Sequence, residues 1–266
     1  MKPQDQVLGH DVLASFTTAL ATGAIRIIDL TQTLGPDFPS IVMPPEMGQS
    51  RAFRMEEISR YAERGGAWYW NNLSFGEHTG THFDAPIHWV SGRDRAHNSV
   101  DTIDPRDFIA GACVIDCSRE AAANEDFVLT VPRIEAWENE HGKIPPRSWV
   151  LFRTDWPKLH PGSAYPNRRQ DGAHTPGPSP EAVKFLLDER DMHGFGVESI
   201  NIDAGQGRKF TPPNPAHSLI LGRGRYGLQC LCNLDQLPST GAVVVAAPLK
   251  IKQGSGSPLR VLAIVP

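Results

Sequence analysis

The sequence is poor in cysteine, in unbroken apolar runs and in charge of one sign. Its four cysteines lie in two close pairs, Cys113 with Cys117 and Cys230 with Cys232, too few for a disulfide-stapled scaffold. Neither spacing is that of a zinc knuckle, and Val114, Ile115 and Asp116 between the first pair read as strand, so buried thiols are expected. The formal net charge of -4 comes without any block of like charge, which leaves no footprint for nucleic acid or anionic lipid. No window reaches the apolar length of a membrane span. The first apolar stretch, Val12 to Ala24, is preceded by Asp5 and Asp11 where a signal peptide would carry basic residues. The expectation is a cytoplasmic protein acting on a small molecule.

What is abundant is evenly spread. The 23 prolines and 24 glycines run throughout the 266 residues, with no repeat or linker-like tract, which points to a single domain over residues 1–266 with long ordered loops. Apolar, β-branched runs bounded by turn residues predict strands at Ile25 to Leu34, Trp68 to Phe75, Ala112 to Cys117, Trp149 to Arg153, Val197 to Ile202, Ala242 to Ala247 and Arg260 to Val265. Thr130 and Pro132 open a helix that Gly142 ends, and Ser179-Pro180-Glu181 opens another predicted to close at His193-Gly194. A shorter helix is expected from Asp11 to Leu20. Pro157 to Pro180 reads as a long loop, of the kind that serves as a lid or binding element. The result is a mixed α/β chain richer in strand than in helix.

Histidine is not evenly spread. The chain has 10, so a random scatter leaves fewer than one in an eleven-residue window, yet His78, His82 and His88 fall within eleven residues together with Asp84. Pro86 biases Ala85 toward extended geometry and disfavours a helix through Asp84 and His88. In an extended stretch His82 and Asp84 share a face, and Gly80 permits a turn that returns His78 to them. Two imidazoles and a carboxylate then converge as the open three-ligand set of a catalytic divalent metal. His88 shares their parity beyond the proline and is suited to carry a proton.

The segment His78-Thr79-Gly80-Thr81-His82-Phe83-Asp84-Ala85-Pro86-Ile87-His88 resembles the H-x-G-T-H-x-D-x-P-x-H signature of the cyclase family, which includes bacterial kynurenine formamidases and isatin hydrolases. The resemblance runs from Asp29-Leu30-Thr31 to Ser257-Pro258-Leu259-Arg260. It implies an α/β fold with a mixed, barrel-like sheet of the swivelling β/β/α type flanked by helices. Within the family, Gly66-Ala67-Trp68-Tyr69-Trp70, Asp203-Ala204-Gly205-Gln206 and Asn233-Leu234-Asp235-Gln236-Leu237-Pro238 look most like isatin hydrolases. Formamidases carry a glutamate, helping to hold a second zinc, at the position matched here to Cys232. A lone thiol is a weak replacement at a hard site, so one ion per chain is expected.

By the same resemblance that ion is manganese, with zinc the alternative, held by His78, His82 and Asp84. Gln206 either adds its amide oxygen or is an ordinary loop glutamine. The implied reaction is attack of metal-activated water on a cyclic or N-aryl amide, with His88 delivering a proton to the leaving nitrogen. His217 maps near the substrate carboxylate and Cys230 onto a proton-relay serine; the alternatives are a surface histidine and a packed thiol. Trp70, Phe75 and Trp89 flank the motif and suit stacking on a flat aromatic amide, although Trp68 and Trp70 share a strand face and serve equally as core or interface. The resemblance also implies a homodimer or higher homo-oligomer. Opening of a lactone, deformylation of an N-formyl amide and sequestration of an aromatic acid without turnover are the competing readings. Gly222-Arg223-Gly224-Arg225-Tyr226-Gly227 fits a dinucleotide fingerprint, but no acidic partner follows it at the required distance.

Overall fold

The computed structural model describes residues 3–43 and 45–266. Nine strands form a curled, half-barrel sheet. In chain order they are β1 (Arg26–Asp29), β2 (His82–Asp84), β3 (Ile109–Asp116), β4 (Trp149–Arg153), β5 (Gly194–Val197), β6 (Tyr226–Gln229), β7 (Ala242–Val245), β8 (Gly256–Pro258) and β9 (Leu262–Val265). Their order across the sheet is β1-β9-β7-β3-β4-β5-β6-β2-β8. The middle four, β3 to β6, are parallel, and antiparallel strands continue the sheet on both sides. Parallel strands are covered on both faces, and Trp149, Val150, Leu151 and Phe152 are accordingly all fully buried.

Strand alternation sorts those residues between two cores. Trp149 and Leu151 join Ile28, Phe83, Leu228, Val244 and Ala263, a cluster inside the curl that only a sheet bending back on itself can assemble. Val150 and Phe152 join Ile134, Trp137, Leu186 and Ile220 on the opposite face, beneath the helices. One of these, Val131–His141, begins after extended Thr130 and ends at Gly142, whose φ of +85° suits glycine. Trp137 Nε1 donates to the Val114 carbonyl at 2.8 Å and ties that helix to β3.

Several predicted boundaries move. The helix opened by Ser179 stops at Asp188, not at His193-Gly194. Asp191 adopts a φ of +46° and the Met192 N–H returns to the Leu186 carbonyl at 3.0 Å, a closing turn that leaves Gly194 free to start β5. The strand expected over Val197 to Ile202 is instead Gly194–Val197. At Glu198 the chain leaves the sheet, because its carboxylate accepts the N–H groups of Thr154 and Asp155 beyond the end of β4, at 2.8 and 2.7 Å. The N-terminal helix is longer than expected, Pro3–Thr22, with Val12 and Leu13 exposed. Tyr69–Ser74 pairs with Arg54–Arg60 in a separate two-stranded hairpin. The Pro157 to Pro180 stretch is anchored by buried Tyr165, whose carbonyl accepts from Trp156 Nε1 at 2.9 Å. Among the described residues no helix is long and apolar enough to cross a membrane.

Candidate active site

Gly80 has a φ of +64°, turning the chain so that His78 returns toward the strand it precedes. β2 then lies between β6 and β8, with Asp84 opposite both Gly227 and Gly256. Ala85 is extended, and Pro86–His88 forms a single tight turn that brings His88 back over the site. The His78 and His88 rings stack with centroids 3.8 Å apart.

Asp84 is fully buried at the centre. Its Oδ1 is 2.8 Å from His78 Nδ1 and 3.5 Å from His82 Nε2. Its Oδ2 accepts from Gln229 Nε2 at 2.5 Å and lies 3.7 Å from His217 Nε2. His217 stands on a π-helical turn, Ala216–Leu221. Asp203 holds the start of that turn, accepting from the Ala216 N–H at 2.6 Å and meeting His217 Nδ1 at 2.6 Å. The Trp89 ring lies 4.7 Å from that of His217.

Electrostatics follow from burial and crowding. Burial opposes ionisation of Asp84, but the hydrogen bond from His78 and the neighbouring imidazoles outweigh it and hold the carboxyl well below its ordinary range. Burial pushes His82 down to about 4 and His88 down to about 3, so both are neutral near pH 7 with lone pairs to offer. For His217 burial works against the charged form, while the Asp203 hydrogen bond and charge prevail and raise it.

Two groups of donor atoms lie within 4.8 Å of one another here: His78, His82 and Asp84, and Asp84, His88 and His217. The outer nitrogen of His82, Nδ1, is held by the Gly80 carbonyl at 2.7 Å. Its inner nitrogen, Nε2, is buried and has no hydrogen-bond partner among the described residues. Leaving such an atom unpaired costs about 1–3 kcal/mol. A lone pair aimed at a neighbouring carboxylate and imidazole fits a divalent cation, which pairs with all three at once.

The fold thus brings together His78, His82, Asp84, His88, His217 and Trp89. Other expected residues have different partners. Gln206 donates its amide to the Ala173 carbonyl at 2.7 Å. Phe75 stacks on Phe53, and Trp70 is 54% exposed on the hairpin. Cys230 is buried with its thiol pushed up to about 12, mainly by desolvation, and its carbonyl accepts from Thr81 Oγ1 at 2.6 Å. Cys232 is half-buried with its N–H on the Leu30 carbonyl, and no cysteine belongs to either donor group. The residue that meets the free oxygen of Asp84 is Gln229, which sequence reasoning passed over. Asp203 was missed within the Asp203-Ala204-Gly205-Gln206 segment that drew attention to Gln206. The glycine-rich segment after the π-helical turn leads into β6, not into the helix that a dinucleotide fingerprint opens.

The chain is similar to known proteins over nearly its whole length. The sequence profile of the family described as "Putative cyclase" matches residues 28–204. An isatin hydrolase of Roseibium aggregatum is 44% identical over 97% of this chain and 98% of its own length. The structure of isatin hydrolase A from Labrenzia aggregata bound to benzyl benzoate superposes with a TM-score of 0.93 at 60% identity, covering 96% of this chain and 99% of that one. That of an isatin hydrolase bound to the product analogue thioisatinate has a TM-score of 0.94 at 42% identity, with both chains fully covered. With a family match over most of its length and a relative this similar across nearly all of it, the chain belongs to the cyclase family.

Proposed function

We propose that this chain is a metal-dependent hydrolase that opens the cyclic amide of isatin to isatinate. The observation that carries this reading is the buried, unpaired Nε2 of His82, beside Asp84 and His78 and within reach of a neutral His88. The likeness to isatin hydrolases over nearly the whole chain supports the choice of substrate. Residues 1–266 then serve as one domain around one centre.

His78, His82 and Asp84 hold a single divalent cation, manganese in preference to zinc, as their oxygen and imidazole donors allow. When bound, the cation supplies Lewis acidity, lowering the pKa of a water and polarising the amide carbonyl. Gln229 lies against Asp84 and is better situated than Gln206 to add an amide oxygen once its side chain is turned. It is neutral where a second cation would want a carboxylate, which supports one ion per chain. His88, neutral and stacked on His78, accepts the proton of the attacking water and returns it to the leaving anilide nitrogen. His217, held by Asp203, and Trp89 form the wall that meets the aromatic acid product.

A homodimer is part of the proposal. Met55, Trp68, Trp70 and Leu73 on the hairpin, and Val12 and Leu13 on the N-terminal helix, are exposed apolar side chains on elements that bury little of themselves. Sedimentation at micromolar concentration tests this. Four free thiols suit a reducing compartment such as the cytoplasm. The decisive assay strips the protein with a chelator, restores manganese or zinc, and follows ring opening of isatin beside deformylation of N-formylkynurenine. Restoration of isatin turnover with about one ion per chain is expected. Turnover of the formamide alone, or two ions per chain, would overturn the reading.

A further inference from the structure

The two imidazoles proposed to bind the cation are backed by different partners. His82 leans on a neutral backbone carbonyl. His78 Nε2 instead lies 2.9 Å from Ser255 Oγ, and that hydroxyl donates to Glu77 Oε2 at 2.6 Å. The Ser255 N–H points to the same carboxylate oxygen at 3.2 Å.

A carboxylate only accepts, so the single hydroxyl proton of Ser255 goes to Glu77. Toward His78 the hydroxyl then has only lone pairs, and His78 Nε2 must carry a proton. That leaves Nδ1, 2.8 Å from Asp84 Oδ1, as the nitrogen whose proton a cation would displace.

The position of Ser255 is set by the sheet. Its carbonyl accepts the Ala85 N–H at 2.9 Å, next to the pairing of Gly256 with Asp84. The His78 ring passes so close to Gly256 that a Cβ there would lie 2.6 Å from its Cε1. The ring is thus pinned between strand β8 and the carboxylate it serves.

We propose that Glu77 and Ser255 are positioning residues that hold His78 in the Nε2–H tautomer, so that Nδ1 is presented as a preoriented, electron-rich metal ligand. This rests on the reading of His78, His82 and Asp84 as the cation site, and deepens it. Outer partners of ligating histidines commonly change metal affinity by about 10–100-fold.

The test measures manganese binding to the stripped enzyme without substrate, by the free-ion electron paramagnetic resonance signal. Ser255→Ala is expected to weaken binding about 10–100-fold, with Ser255→Thr, which keeps the hydroxyl, close to wild type. Glu77→Gln is expected to fall between them, because an amide still accepts through its oxygen but brings no charge. Thermal unfolding of each stripped variant checks that the fold is kept. Nitrogen-15 histidine spectra of zinc-loaded wild type should show His78 bound through Nδ1 with a proton on Nε2. Unchanged affinity in Ser255→Ala, or ligation through Nε2, overturns the inference while leaving the cation site standing. Failure of wild type to bind any cation overturns both.

Discussion

Two clusters in this protein gather imidazole and carboxylate donors close together, and they differ in what their lone pairs are already doing. In one, His78, His82 and Asp84 surround a buried nitrogen that has no partner. In the other, Glu125, Asp126 and His174 are equally close together, but His174 meets Asp126 through Nδ1 at 2.7 Å and Asp171 through Nε2 at 3.0 Å. Glu125 is engaged by Arg169 and Asn167, and Asp171 is more than half exposed. Both imidazole nitrogens are spent there, so although Asp126 Oδ1 is also buried without a partner among the described residues, no imidazole lone pair is left to share a cation with it. Ligand identity and spacing do not make a site; imidazole lone pairs left free beside a buried carboxylate do.

That contrast can be broken most forcefully at Asp84. Asp84→Asn removes the shared anion, and with it the several kcal/mol of charge stabilisation that a cation supplies; isatin turnover should fall by at least about 10⁴-fold, and cation content to near zero by elemental analysis. His88→Ala should separate binding from chemistry: the cation stays, while amide hydrolysis falls about 10²- to 10⁴-fold, measured as kcat in the manganese-loaded variant. Full amide activity in that variant would remove His88 from the proposed proton transfer.

Gln229→Glu sharpens the comparison from another side. A carboxylate beside Asp84 Oδ2 and His217 should admit a second cation, read as an increase from one to two ions per chain by elemental analysis. No increase would mean that Gln229 does not limit occupancy.

The smallest effect belongs to the satisfied cluster. His174→Ala should leave cation content unchanged and activity within about twofold, and should cost stability in a pH-dependent way. The hydrogen bonds to Asp126 first and then Asp171 raise the pKa of His174 above its ordinary value. Such a group stabilises the fold fully below the unfolded value of about 6.5 and loses its contribution as pH rises through the folded value. The variant's melting temperature should therefore fall by about 2–4 °C at pH 5.5 and by less at pH 8. An equal deficit at both would assign His174 a packing role only.

Much of the centre was legible because it is local. Gly80 and Pro86 dictate backbone conformations within their own segment, so convergence of His78, His82, Asp84 and His88 follows from spacing. The helix Val131–His141 was legible for the same reason, with Thr130, Pro132 and Gly142 acting on adjacent peptide units. The residues that complete the centre were not. Gln229 reaches Asp84 from 145 positions away, through the pairing of β6 with β2. Its strand, Tyr-Gly-Leu-Gln, shows no alternation because both faces are buried, and the preceding glycines advertised a different motif. Ser255 arrives on the other side of β2 by the same kind of pairing, 177 positions from His78. Glu198 shows the converse error: a β-branched run predicted a strand where a buried carboxylate, capturing N–H groups beyond the end of β4, carries the chain out of the sheet.

By itself the sequence determined the donor types, the turn that gathers them, and the family resemblance, because these are written in contiguous residues whose backbone preferences act at short range. Only the tertiary structure decided which nitrogen of His78 faces Asp84, that Gln229 and not Gln206 touches that carboxylate, and that the histidine beside Glu125 is already satisfied. Those outcomes depend on strand register and burial, and a one-residue slip in either neighbour of β2 would exchange every inward side chain for an outward one.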